Sequence, residues 1–242
     1  MNIAFDEGYT FGLGAFETIS VIKKKPILLD SHLARLNKAL DFLNIQNRPD
    51  KVSIFKWIDE AELSHRAVLK LMVSENNILK SFRENPYTEA DYAKGFAVCL
   101  SPVRRNETSP LVFHKTFNYG DNILEKRRAK AQGFDEPLFL NTRGEIAEGA
   151  TTNVFVVKDG QIFTPPIAAG LLPGTLRGWV LEHFAVKEKT LCPEDLLCAD
   201  EIFLTNALLG VMGVRRFEAQ NFMLGSVSGE IRAAYEGFYS KS

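Results

Sequence analysis

The sequence predicts a two-domain α/β (α+β) chain, with a small amino-terminal α/β domain and a larger, β-rich carboxy-terminal one. Three observations predict it. Up to Ser101, short β-branched and aromatic runs alternate with amphipathic helical stretches. A polar stretch bounded by Pro102 and Pro110 then interrupts both patterns. Beyond it, strand-length runs separated by glycine-containing turns dominate. The boundaries read from this are residues 1–102, a linker over 103–110, and 111–242. With 242 residues, 45% of them hydrophobic, the chain can bury a sizeable core.

In order, residues 15–22 are β-branched and aromatic, hence a strand. Lys23, Lys24 and Lys25 read as a turn into a returning strand over 26–29. Asp30 and Ser31 offer a helix N-cap. Leu33, Leu36, Leu40 and Leu43 then recur at helical spacing. A second helix is expected over 50–63, with Val52, Phe55, Ile58 and Leu63 inward. Strands are expected over 68–74 and 96–101. In the second domain a helix over 118–132 ends at Gly133. Strands follow over 138–141, 146–148, 154–157 and 161–163. Hairpin turns are expected at 142–144 and at Asp159-Gly160. Helices over 174–184, 194–198 and 228–239, with a strand over 201–205, complete the pattern.

Charge and composition exclude several function classes. Net charge is −1, so no basic balance argues for nucleic acid. The densest basic run, Lys126-Arg127-Arg128, reads as a solvated helix face. Cys99, Cys192 and Cys198 show neither disulfide nor metal spacing and read as structural thiols in a reducing compartment. His32, His65, His114 and His183 lack ligand spacing, so no metal is expected. No apolar run approaches the ~18 residues of a membrane span, and the amino-terminal stretch from Met1 to Glu7 lacks a signal-peptide layout. Gly12-Leu13-Gly14 precedes a strand rather than a helix, so it is not a dinucleotide fingerprint.

Two stretches carry the chemistry: His114-Lys115-Thr116-Phe117-Asn118-Tyr119 and Glu148-Gly149-Ala150-Thr151-Thr152-Asn153-Val154-Phe155. Lys115 lies between the apolar run 111–113 and a helix start. It is either a snorkelling lysine or an amine nucleophile, which burial would favour. Glu148 shares a strand face with Ile146 if 146–148 alternates regularly. An inward acid needs a partner, either an arginine such as Arg143 or a protonated pyridine nitrogen. Thr151, Thr152 and Asn153 form a small donor-rich loop. At Pro173-Gly174 the chain enters a helix, so the amides of Thr175 and Leu176 sit at a helix N-terminus, where anions bind. Arg35 flanks the buried stripe of its helix, able to reach a phosphate or simply to face water.

The order of these blocks resembles the class-IV aminotransferase family, the pyridoxal-phosphate (PLP) enzymes of fold type IV. The resemblance runs through Phe11-Gly-Leu-Gly-Ala-Phe-Glu-Thr18, His32-Leu-Ala-Arg-Leu36, the Lys115 and Glu148 blocks, 170–177, and Thr205-Asn206-Ala207. It implies a larger domain built as a pseudo-barrel, PLP between the domains, a homodimer and a cytoplasmic enzyme acting on a small molecule. Lys115 would form the Schiff base and shuttle protons, and Glu148 would bond the pyridine nitrogen. Arg35 would hold the phosphate, with Thr151, Thr152, Thr175 and Leu176 completing the cup, and Thr205 and Asn206 either closing its phosphate side or approaching substrate. Phe16, Arg83, Tyr87 and Arg104 are the expected substrate contacts.

Within the family, the stretch 206–212 and the Phe11 block look like the 4-amino-4-deoxychorismate lyases. Branched-chain and D-amino-acid aminotransferases are the alternatives. The D-amino-acid enzymes carry an Arg-x-His pair, and Arg83-Glu84-Asn85 lacks the histidine. Family members also begin with a further strand before the Phe11 block, so the first sheet is expected one strand short. Position 13 is leucine where many aminotransferases have aspartate.

Overall fold

The run expected over 15–22 forms β1 (Gly14–Ile22), a central strand of a four-stranded sheet. The structure is a computed structural model and describes residues 3–241; Met1 and Asn2 lie outside them. Ahead of β1, helix α1 (Glu7–Thr10) is capped by Asp6, whose carboxylate accepts from Gly8 N–H and from the Ser74 hydroxyl. After β1 the chain turns through Lys23 and Lys24, at φ 50° and 64°, into β2 (Lys25–Pro26). Helix α2 (Leu29–Phe42) then starts from Leu28 at φ 52°, not from Asp30 or Ser31. The left-handed residue turns the chain into the helix with no side-chain cap.

Helix α3 (Lys51–Glu60) is capped by Asp50 and buries Ile54 and Ile58. The expected inward residues Val52 and Phe55 are instead exposed, because the buried stripe follows the i, i+4 pair Ile54 and Ile58. Strands β3 (Arg66–Ser74) and β4 (Ile78–Glu84) complete the antiparallel order β2-β1-β3-β4. One face, with Ala15, Ile19, Val21, Leu69 and Leu71, packs with Leu33, Leu36, Leu40, Ile54 and Ile58 as a core. By the period of two, the opposite face carries Phe16, Thr18 and Ser20. Beside them stand Met72, Lys70 and Val68, then Leu79, Ser81 and Arg83.

The chain divides into two units: residues up to Pro86 with His114–Tyr119, and Tyr87–Phe113 with Gly120 onward. This differs from the expected boundaries at 102 and 111. The run expected over 96–101 extends to Arg105 and joins the second sheet, so 103–105 is strand rather than linker. Residues 114–119 pair back onto β1 through an Ala15–Thr116 bridge.

The second unit runs α4 (Glu89–Lys94), β5 (Phe96–Arg105), α5 (Gly120–Ala131), β6 (Glu136–Asn141), β7 (Ile146–Gly149), β8 (Asn153–Lys158) and β9 (Gln161–Thr164). It continues with α6 (Thr175–His183), β10 (Val186–Glu188), α7 (Pro193–Leu197), β11 (Glu201–Asn206), β12 (Gly210–Phe217), β13 (Gln220–Asn221) and α8 (Ser226–Lys241). Its sheet is ordered β10-β9-β8-β11-β12-β5-β6-β7, with β13 on β12. This mixed sheet with surrounding helices matches the larger, β-rich second domain expected from the sequence. One face builds a core from Leu138, Leu140, Ile146, Val154, Val156, Ile202 and Leu204.

The opposite face carries Phe139, Asn141, Asn153, Phe155, Phe203 and Thr205, as the pairings Phe203–Phe155 and Thr205–Asn153 require. A register shift places Glu148 beside Phe139 and Ile146 beside Leu140. The irregularity therefore turns Glu148 to the Phe139 face, away from Ile146. The expected shared face is corrected on that ground.

Candidate active site

In the first unit, Lys115 is held to the edge of β1 by backbone bonds. Its carbonyl accepts from Phe16 N–H at 2.9 Å, and Phe117 N–H donates to Gly14 O at 2.8 Å. A Cβ at Gly14 would lie 2.3 Å from the Phe117 ring, so only glycine lets this segment approach. Lys115 precedes α5 by a full segment instead of opening it, since the helix begins at Gly120. Pairing of Thr116 with Ala15 turns Lys115 to the Phe16 face. Its Nζ lies 4.4 Å from the Phe16 ring centre and 4.7 Å from that of Tyr119. The two rings meet edge to face at 5.1 Å. Lys70 approaches the same Phe16 ring at 4.9 Å. An ammonium between aromatic rings is partly desolvated and directed, the setting an amine nucleophile needs.

On the other face of β1, Glu17 is fully buried and accepts from both Nε and Nη2 of Arg35 at 2.7 Å and from His32 Nδ1 at 2.7 Å. Arg35 thus turns inward from its flank position rather than to water. Burial alone would raise the Glu17 carboxyl, but Arg35 and then His32 outweigh it and hold it well below the usual carboxylate range.

In the second unit, Glu148 is buried and its partner is Arg105, not Arg143. Nη2 of Arg105 lies 3.2 Å from Glu148 Oε1, while Leu172 N–H donates to Oε2 at 3.0 Å. The Arg105 guanidinium also sits 4.0 Å over Phe139 and donates to Asn122, which in turn donates to Ala150 O. Arg143 pairs with Glu107 and Glu145.

The threonines expected in the phosphate cup separate. Thr151 and Thr152 both donate their hydroxyls to Glu136, a fully buried acid that also pairs with Lys126 at 2.8 Å. A carboxylate beside them makes this spot unsuitable for an anion, and it draws Lys126 out of the expected solvated face. Asn206 is spent on its own turn, accepting from Leu208 and Leu209 N–H while its amide donates to Thr151 O. Thr205 is fully buried on the Glu148 face, and its hydroxyl has no hydrogen-bond partner among the described residues. Helix α6 begins at Thr175 with Gly174 as N-cap and no side-chain cap, so the amides of Thr175 and Leu176 lie at its electropositive end. A Cβ at Gly174 would come within 2.0 Å of Asn153 Oδ1, and Asn153 Nδ2 donates to Leu172 O. Glu148 and Asn153 therefore both hold the loop that delivers α6.

Of the expected substrate contacts, Phe16 stands at Lys115. Arg83 is exposed on β4 and bonds the neighbouring Glu84 carbonyl, though on the same face as Phe16 and Lys70. Arg104 is exposed, because a register shift in β5 sends Arg105 rather than Arg104 toward Glu148. Tyr87 packs its ring on Phe96 in the second core. Burial raises its phenol pKa, and Asn206 is its side-chain hydrogen-bond partner. Glu17, Lys70, Tyr119 and Glu136 had no site role in the sequence reading, and Arg105 was singled out only with Arg104 as a substrate contact.

The residues present fit PLP. The first unit supplies an aromatic-flanked lysine and an oriented arginine. The second unit, taken by itself, holds a buried carboxylate at Glu148, a buried hydroxyl at Thr205 and a helix N-terminus at Thr175. The family model for amino-transferase class IV matches residues 14–217. The aminodeoxychorismate lyase of Bacillus subtilis (strain 168) is 30% identical over 266 residues, covering 98% of this chain and 88% of its own length. A probable branched-chain-amino-acid aminotransferase of Thermotoga maritima is 28% identical over 240 residues, covering 92% and 85%. A hypothetical aminotransferase from Mycobacterium tuberculosis, solved in a PLP-bound form, superposes with a TM-score of 0.83 at 19% identity, over 98% and 93% of the two chains, and shares the fold. The chain belongs to the amino-transferase class IV family and is a PLP-dependent enzyme.

Proposed function

We propose that this enzyme is a 4-amino-4-deoxychorismate lyase, releasing 4-aminobenzoate and pyruvate, with Lys115 as its catalytic residue. One observation carries the reading. The Lys115 face of the first sheet gathers two further cations, Lys70 and Arg83, beside Phe16 and Thr18. Aminodeoxychorismate carries two carboxylates, which such a cationic face complements. The 30% identity to the Bacillus subtilis lyase over 98% of the chain supports the same reading.

Bound PLP withdraws electrons from the carbon bearing the substrate amine. Lys115 takes the proton from that carbon, and the enolpyruvyl C–O bond breaks as the ring becomes aromatic. Protonation of the departing enolpyruvate at its methylene carbon gives pyruvate. The aromatic walls of Phe16 and Tyr119 keep the lysine partly desolvated and aimed. Glu148, its carboxylate fixed by Arg105, would accept a charge-assisted hydrogen bond from the protonated pyridine nitrogen and keep it protonated. Arg35, the α6 amides and Thr205 would hold the phosphate.

The proposal includes a homodimer and a cytoplasmic setting. The apolar cluster of Phe5, Tyr9 and Phe11 is largely exposed and suits burial against a second copy. Among the described residues, no helix is long and apolar enough to cross a membrane. The purified enzyme given aminodeoxychorismate should generate fluorescent 4-aminobenzoate without an amino acceptor. Amino transfer from a branched-chain or D-amino acid to 2-oxoglutarate, with no aminobenzoate formed, would contradict the lyase reading and favour transamination.

A further inference from the structure

We propose that Glu17 and His32 are positioning residues that fix the Arg35 guanidinium in one orientation for the phosphate of PLP. This rests on the reading that Arg35 takes that phosphate. His32 and Arg35 are three residues apart on α2, so they share a helix side. Glu17 reaches both from β1, with three bonds of 2.7 Å on two oxygens. A carboxylate with no exposure tolerates no missing partner.

The charges in this cluster close on two groups. Glu17 is ionised and Arg35 is its cation. Burial first pushes the His32 pKa down, and the pull of Glu17 does not restore it. His32 is therefore neutral, and since a carboxylate only accepts, its Nδ1 carries the proton. It adds a bond without adding charge.

Glu17 engages one edge of the guanidinium, through Nε and Nη2. That uses two of five N–H donors in a rigid planar fork, so the directions of the other three are set. An arginine already ordered loses little side-chain freedom when it meets an anion. The same strand holds both partners of the cofactor. Glu17 orders Arg35 from one face of β1, while its neighbour Phe16 contacts Lys115 on the other.

Glu17 also opposes an incoming phosphate by its own charge. Orientation and repulsion therefore predict opposite outcomes for Glu17→Gln, which keeps the shape and removes the charge. The test compares dissociation constants of the full-length protein for PLP and for pyridoxal, which lacks the phosphate, by absorbance titration. Melting temperatures are followed in parallel. Glu17→Gln should weaken PLP about tenfold and leave pyridoxal within about twofold, the scale of losing an outer-shell support. His32→Ala, which keeps the ion pair, should weaken PLP alone by about threefold, as one lost hydrogen bond would. It carries the test if Glu17→Gln does not fold.

Tighter PLP binding in Glu17→Gln, or an equal loss for both ligands, would overturn the proposal. Arg35→Lys separates the two layers of the argument. If it leaves the preference for PLP over pyridoxal unchanged, Arg35 does not take the phosphate and the underlying reading fails. If it lowers that preference while Glu17→Gln and His32→Ala do not, only the positioning role fails.

Discussion

Arg105 meets Glu148 at 3.2 Å with its guanidinium 4.0 Å above the Phe139 ring. Two register shifts, one in the β5–β6 pairing and one in β6–β7, bring these groups to one sheet face. The pair is almost wholly buried, with side chains 11% and 9% exposed. Removing one member strands the other's charge, which costs about 3–5 kcal/mol. Arg105→Met should therefore lower the unfolding free energy by about 3 kcal/mol in urea melts. Adding Glu148→Gln to it should recover part of the loss, because no unpaired charge remains.

Glu17 predicts a pH dependence of stability. Its carboxyl titrates well below the ordinary value of 4.5, because Arg35 and His32 overcome the opposing effect of burial. A depressed folded-state pKa contributes stability that is fully present above pH 4.5 and is lost as pH falls below it toward the folded value. Wild-type stability should thus drop steeply on acidification below about pH 5, and Glu17→Gln should flatten that slope. Parallel acid profiles of the two proteins would remove Glu17 as the source.

Much of this was legible in the sequence. Lys115 and Glu148 stand out because each lies among residues expected to be buried, while Arg35, at the flank of its helix stripe, is singled out only by the order of the family's blocks. Their partners do not stand out. Glu17 sits on the more apolar face of its strand, between Ala15 and Ile19, and only the packing of α2 shows which partners it meets there. Glu136 reads as an ordinary strand-end acid until Thr151, Thr152 and Lys126 converge on it. Arg104 and Arg105 cannot be told apart without the irregularity in β5, and Glu148 cannot be assigned a face without that in β7. Strand β4 is masked by its charged residues Lys80 and Arg83, and β12 by Arg215 and Arg216.

Gly174 should be intolerant of a side chain. A Cβ there meets Asn153 Oδ1 at 2.0 Å, and overpacking of this kind costs about 1–3 kcal/mol. Gly174→Ala should lower the melting temperature. It should also weaken PLP, because relief of the clash moves the N-terminus of α6. Calorimetry and a PLP titration on one sample would read both, and unchanged values would remove the proposed cup.

Lys70 should act on substrate affinity more than on chemistry. Its ammonium shares the Phe16 ring with Lys115 from the neighbouring strand. Loss of a carboxylate contact made equally before and during reaction raises KM and spares kcat. Lys70→Met should raise KM for aminodeoxychorismate about tenfold with kcat within about threefold. A loss confined to kcat would place Lys70 in the chemical step instead.

The placement of Lys115 against Phe16 and Tyr119 is the centre of the account. Borohydride reduction of the PLP-loaded enzyme, followed by peptide mapping, asks directly which amine carries the cofactor. The account predicts a single reduced adduct, on the peptide containing Lys115, and none in Lys115→Ala. An adduct on Lys70, Lys126 or any other lysine in the wild-type protein would contradict it.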